Sequence, residues 1–188
     1  MKIPSLVALA VAAAVAVGIP AGLGGCQPVE ETAAASQSQG EENTGPETAL
    51  EEIYQSVEIR GIQEGTDELL EEKFQIDPSL YTENHSRVAD GSYGVADVLI
   101  LRPAEGKADE LRNALELAKV SRITEFTNYD IYNSLELAQN GEIYEVGDYL
   151  VLTMIDNGDQ VRSIIEQHIL QQTTLNMEVS AVAVAPVS

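Results

Sequence analysis

Asp97 sits within Val95-Ala-Asp-Val-Leu-Ile-Leu-Arg102, an apolar, β-branched run in which alternation places its carboxyl on one face with Val95, Leu99 and Leu101. Burial disfavours the charged form of an acid, so Asp97 is the acid to weigh first for a catalytic role. Two readings require no chemistry: the face is partly exposed, or an arginine such as Arg122 pairs with Asp97. A glycosidase would set two carboxyl groups about 5 to 9 Å apart in a cleft, with aromatic platforms for sugar rings. Against that, Trp is absent and the seven Tyr and two Phe are scattered along the chain. His168 falls four residues after Ile164 and seven after Val161, on a helical apolar stripe, and is expected in the core or at its boundary. His85, in the polar run Thr82-Glu-Asn-His-Ser-Arg87, is expected to be exposed. Two histidines are too few for a His-rich zinc site within one chain. Asp156 to Gln160, DNGDQ, lacks the alternating oxygen ligands and distal Glu of a calcium loop and reads better as a helix cap. G-x-S-x-G, H-E-x-x-H, P-loop and G-x-G-x-x-G patterns are absent, and DGSYG lacks the residue between Gly91 and Ser92 that an elbow needs. No residue is therefore assigned a catalytic, cofactor-binding or metal-binding role.

The residue with the most definite chemistry is Cys26, the single cysteine. Leu23-Gly24-Gly25-Cys26 resembles the bacterial lipobox, in which the thiol receives a diacylglycerol and the chain is cut just before it. Upstream lies the order of an export signal: Lys2, an apolar core from Ile3 to Ile19, then Pro20 and small residues. That core is too Ala-rich and too short for a comfortable membrane span, which needs about 20 strongly apolar residues. The expectation is a signal peptide over residues 1–25 and a lipidated Cys26 as first mature residue, on the extracytoplasmic face of the cell membrane. The alternatives are a signal cut elsewhere, leaving Cys26 a free thiol, or an uncleaved apolar anchor. Residues 26–46 are rich in Glu, Ala, Ser, Gln and Gly and cannot bury enough apolar surface to offset their ordering entropy, so they read as a disordered acidic tether. Such a coil has a root-mean-square length of about 25 Å.

The formal net charge of −21, from 31 acids and 10 bases, argues against nucleic acid and against lying flat on an anionic membrane. Arg60 is the only base between Glu30 and Glu72. The expected partners are the membrane, through the lipid, and an unknown envelope protein or small ligand.

Residues 47–172 suffice for one domain. Leu50, Ile53, Tyr54 and Val57 have helical spacing, and a second helix is expected over Gly65–Phe74, capped near Thr66 or Asp67, with Leu69, Leu70 and Phe74 inward. Asp90-Gly91 suits a tight turn from a short strand into the strand Val95–Arg102. A long helix follows from near Glu105, with Ala108, Leu111, Leu115 and Ala118 on one stripe, and then a short one around Ile131–Ala138 closed by Asn140-Gly141 as a glycine C-cap. EIYEVGDYLVLTMI reads as a hairpin with Gly147 first in a type II′ turn. Asn157 caps the last helix, whose inward face is Val161, Ile164, Ile165, His168 and Ile169. Residues 173–188 are a loose tail or an edge strand. The class is α+β, a single domain with a small, mainly antiparallel sheet of about three or four strands packed against several helices.

The helix closing on Ile76-Asp-Pro-Ser79, the strand VADVLILR leading to a long helix, and FTNYDIYNSLELAQNGEIYEVGDYLVLTMIDNGDQV together resemble a bacterial lipoprotein family known as domain of unknown function 4358. The likeness covers roughly residues 47–172 and rests on Tyr129, Asn140-Gly141 and Gly147 before Tyr149. It implies the address and the fold, and no catalytic residue or cofactor. The expected role is a non-enzymatic binding or interaction module; the alternative is an envelope hydrolase using paired carboxylates. A cleft gathering buried ionisable groups would favour the hydrolase, and an apolar groove would favour binding.

The lipid expectation has a direct test. The mature protein should begin at Cys26 and partition into detergent with the membrane fraction, and Cys26→Ala should release the processed chain from it. Undiminished membrane retention of that variant after signal cleavage would overturn the lipobox reading.

Overall fold

Pro46, whose fixed φ suits a first helical turn and whose missing N–H costs nothing there, opens α1 (Pro46–Gln55). This computed structural model describes residues 44–183, all within one compact unit, Gly40–Ser188. The expected signal peptide with Leu23, Gly24 and Gly25, the expected lipid site Cys26, residues 27–43 of the expected tether and residues 184–188 of the expected tail lie outside the described residues. After α1 come β1 (Ile62–Glu64) and α2 (Asp67–Phe74), whose N-cap Thr66 accepts a hydrogen bond from the Leu69 N–H. A 3-10 turn at Pro78–Leu80 leads into β2 (Tyr81–Ala89), and a second at Gly91–Tyr93 into β3 (Asp97–Pro103). Then follow α3 (Ala108–Phe126), α4 (Ser134–Gln139), β4 (Glu142–Val146), β5 (Tyr149–Met154) and α5 (Gly158–Ala183).

The five strands form one antiparallel sheet in the order β1-β2-β3-β5-β4. Central β3 and β5 are buried on both faces, which is why they read as nearly unbroken apolar runs. On one face Leu99, Leu101, Leu150 and Leu152 pack with Leu70 and Phe74 of α2 and with Leu111, Leu115 and Phe126 of α3. On the other, Val98, Ile100 and Val151 pack with Leu50 and Ile53 of α1 and with Val161, Ile165 and Ile169 of α5. The α+β class stands, but the sheet has five strands rather than three or four, and helices cover both faces. β2 is nine residues long, although its polar composition suggested only a short strand before Asp90-Gly91.

Several local expectations change for physical reasons. Ala108 begins α3 and is exposed, since the helix starts three residues later than Glu105 and its inward stripe runs from Leu111 to Phe126. Asn157 does hold the first turn of α5, through its backbone: its carbonyl accepts from the N–H groups of Gln160 and Val161, and its φ is 56°. Residues 173–183 continue α5 and are neither a loose end nor an edge strand. Gly147 (φ 56°) opens the β4–β5 loop while Asp148 keeps a negative φ, as a type II′ turn requires.

Gly141 is not a left-handed cap; its φ lies outside the positive region, and the cap is Asn140 in helical geometry. Glycine is needed for space, because a Cβ there would lie 2.6 Å from Met154 Cγ and 2.9 Å from the Thr153 carbonyl oxygen. Gly141→Asn, which a left-handed cap would tolerate, should therefore destabilise the domain by about 1–3 kcal/mol through overpacking, measured by urea unfolding. A loss of only a few tenths would return Gly141 to a capping role.

Candidate ligand groove

Arg122 reaches from α3 to Asp97 at the start of β3, with Nε donating to Oδ2 at 2.6 Å and Nη2 to Oδ1 at 3.0 Å. Both side chains are fully buried. The strand end at Ala89 completes the cluster: its N–H donates to Asp97 Oδ1 at 2.8 Å, and its carbonyl accepts from Arg122 Nη2 at 2.6 Å. Nη1 donates to Glu125 Oε2 at 2.7 Å, and the guanidinium lies 5.4 Å from the Phe74 ring centroid. Burial pushes the Asp97 carboxyl up, against the pull of Arg122 and of the Ala89 N–H. On Arg122 burial works against the charge too, but Asp97 and Glu125 outweigh it and hold the guanidinium above its ordinary range. Of the two readings of Asp97 the arginine partner is the correct one, and its face of the strand is not exposed.

This pair clamps both ends of the segment 90–96, which runs from Ala89 to Asp97. Within it Gly94 (φ 106°) passes so close to Ser134 that a Cβ would lie 2.8 Å from its Oγ. Ser134, itself fully buried, accepts from the Val95 N–H at 3.0 Å and donates to the Ile131 carbonyl at 2.5 Å, tying the segment to the start of α4. On the other side the Tyr93 ring lies against Gly61 (φ 74°), where a Cβ would approach Cδ2 to 2.6 Å.

Between these elements, where β3 begins and β5 has just ended, lies a groove of about 720 Å³. Buried Ile53, Ala96, Ile155 and Val161 form its floor, with Ile164 of α5 beside them. Val57 and Ile59 line the α1–β1 connection, and Tyr132 and Leu137 the side of α4. Tyr93 and Tyr132 are 44% and 79% exposed. Tyr132 (φ 51°) and Asn133 (φ 64°) are consecutive left-handed residues, so α4 starts at Ser134 rather than at Ile131. A left-handed residue other than Gly costs roughly 1–2 kcal/mol. Polar groups sit at the mouth: Glu58, Arg60, Asp156, Asn157 and Gln160 line the groove and are exposed. Its volume lies in the range of ligand pockets, and its lining is apolar at the floor and polar at the rim.

The histidines lie elsewhere. His168 is 9% exposed, at the boundary of the core, with Nε2 2.8 Å from Glu52 Oε2 on α1. His85 is half-buried rather than exposed, because its Nδ1 lies 2.8 Å from Glu47 of α1 and its ring packs edge-on to Tyr149. Tyr149 in turn donates to Glu83 at 2.6 Å and accepts from Arg102 at 2.9 Å, so these polar residues of β2, β3 and β5 form one cross-strand network. Among the described residues no group of three His, Cys, Asp or Glu side chains is placed to hold a metal ion, and no helix is long and apolar enough to cross a membrane. Sequence reasoning missed Tyr93, Tyr132 and Asn133 and noted Arg60 only as the lone base of an acidic stretch; for Tyr132 and Asn133 the signal was a Tyr-Asn pair in a segment too polar for a core.

The model of the family described as Domain of unknown function (DUF4358) matches residues 55–155, more than half of the chain. The chain belongs to this family. The span of DUF4358 holds the whole sheet, α2 to α4 and the buried Asp97–Arg122 pair, while α5 and nearly all of α1 lie outside it. The groove therefore crosses the border of the family match, with Ile53 and residues 156–164 contributed from beyond it. No curated protein and no solved structure matches the chain.

The clamp should behave as a unit. Arg122→Met leaves Asp97 buried without its partner and should cost about 3–5 kcal/mol. The double variant Asp97→Leu/Arg122→Met should be more stable than either single, falling short of the parent by the lost Ala89 hydrogen bonds, about 1–3 kcal/mol. Urea unfolding of the three variants checks this, and additive losses would show that the pair is not coupled.

Proposed function

We propose that this chain is a membrane-anchored extracytoplasmic lipoprotein whose folded part is a non-enzymatic binding module, with the groove between α1, α4 and α5 as its ligand site. The anchor rests on Leu23-Gly24-Gly25-Cys26 and the export signal before it. A single observation carries the binding reading: Tyr132 holds a strained left-handed backbone while 79% of it is exposed beside an apolar groove. Strain that yields no packing is of use where a side chain must be held ready for contact with something else. The groove's own carboxylates, Glu58 and Asp156, are exposed, and the one acid singled out for proton chemistry, Asp97, is sealed against Arg122. Both facts support binding over hydrolysis by paired acids.

A trade of stability against binding tests the reading. Tyr132→Gly removes an exposed ring and relaxes the left-handed backbone, so it should raise stability by up to about 1 kcal/mol in thermal unfolding. The same variant should lose binding of apolar aryl fragments that, in the parent, shift the NMR signals of Val57, Ala96, Leu137 and Ile164. A variant that is less stable, or that binds the fragments unchanged, would remove the basis of the proposal.

A further inference from the structure

Arg60 is the one arginine among the described residues that has no carboxylate partner. Arg87 pairs with Glu47 at 3.1 Å, Arg102 with Glu83 at 3.2 Å, Arg122 with Asp97 at 2.6 Å and Arg162 with Glu166 at 2.8 Å, and Arg112 with Glu145. The chain carries 31 acids against 10 bases, so acceptors for a guanidinium are plentiful, and Glu58 lies two residues from Arg60 and lines the same groove without forming an ion pair with it. An unpaired guanidinium therefore stands at the mouth of the apolar groove, with all five of its N–H donors open to a planar anion. The same mouth receives the N-terminal end of α5, the longest helix among the described residues, with Asn157, Gln160 and Val161 of its first turn in the lining. The helix dipole there favours negative charge, which Asp156 and Asp159 already supply in part. Inward from these groups the lining turns apolar, from Val57 and Ile59 to Ile53 and Ala96.

Building on the groove as ligand site, we propose that it takes an amphipathic carboxylate: an alkyl or aryl body on the apolar floor, with its anionic end held by Arg60. A carboxylate matches the guanidinium in a bidentate, charge-assisted pair, while Tyr93 and Tyr132 cover the body from the side. This chemistry occurs in free organic acids and at the C-terminus of a polypeptide ending in apolar residues. The carboxylates of Glu58 and Asp156 at the same mouth set the competing preference, for a cation, and make the sign of the ligand charge the quantity to measure.

The test titrates the full chain with 4-phenylbutyrate, its neutral counterpart 4-phenylbutan-1-ol and the cation 4-phenylbutylamine, following groove signals by NMR. The carboxylate should bind about two- to fivefold more tightly than the alcohol, as expected for a solvent-exposed charge pair. Arg60→Gln should collapse that difference and leave the melting temperature unchanged, since Arg60 is exposed and unpaired. Arg60→Lys should keep part of the preference. Equal binding of acid and alcohol, a preference for the amine, or an unchanged preference in Arg60→Gln would each overturn the carboxylate proposal and leave the groove reading standing. Failure of all three probes to shift groove signals would overturn both. N-acetyl-Phe-Leu and its C-terminal amide separate the sources: a dipeptide acid that outbinds both its amide and 4-phenylbutyrate marks a polypeptide C-terminus, and the reverse order marks a free organic acid.

Discussion

The buried pair of Asp97 and Arg122 is the constraint on which the rest of the structure turns. Taking two charges out of water costs several kcal/mol per ion, and the cost is met only when the remaining lone pairs and N–H groups find partners. Here they do. The carboxylate accepts from both Arg122 and Ala89, and the guanidinium donates to Asp97, Glu125 and the Ala89 carbonyl. One cluster therefore joins α3, the end of β2 and the start of β3, the three places where the helix layer could slide over the sheet. It is also directional, unlike the leucine contacts around it, and so fixes one register of α3 against the strands.

From that cluster the groove follows. Segment 90–96 begins and ends at residues Arg122 holds, so Tyr93, at the end of one 3-10 turn, and Gly94 and Ala96 after it are positioned without an α-helix or strand of their own. Ser134 joins the same segment to α4, directly after the left-handed Tyr132 and Asn133 at the groove's edge. α1 and α5 supply the remaining wall, tied to each other by Glu52 and His168 and by the Gly45 N–H to the His168 carbonyl. Both histidines of the chain thus meet carboxylates of α1, Glu47 and Glu52. They act here as docking contacts for the first helix, and neither reaches the groove.

Legibility in the sequence tracked the range of the interaction. Helical stripes such as Leu111, Leu115 and Ala118 and the run VADVLILR are set by local periodicity and burial, and both are where they were expected. β2 was underestimated because His85, Arg87 and Glu83 look like a solvated stretch, whereas their partners Glu47, Arg102 and Tyr149 arrive from distant parts of the chain. Gly141 was misread for a related reason: the backbone beside it belongs to β5, and only the folded sheet brings Thr153 and Met154 within reach of a Cβ.

The sequence by itself determined the α+β class, the family and the apolar core strands, because each depends on patterns of residues that a chain carries whether or not it is folded; for Asp97 it left an exposed face and an arginine partner both open, and the fold chose Arg122. Tertiary structure alone decided that helices cover both faces of the sheet, that Tyr132 stands exposed on a left-handed backbone, and that Arg60 faces a groove without a carboxylate partner among the described residues. Those features arise where four segments distant in sequence converge. Their physical content is the space and the unmatched charge left between elements, and neither is a property of any one stretch of residues.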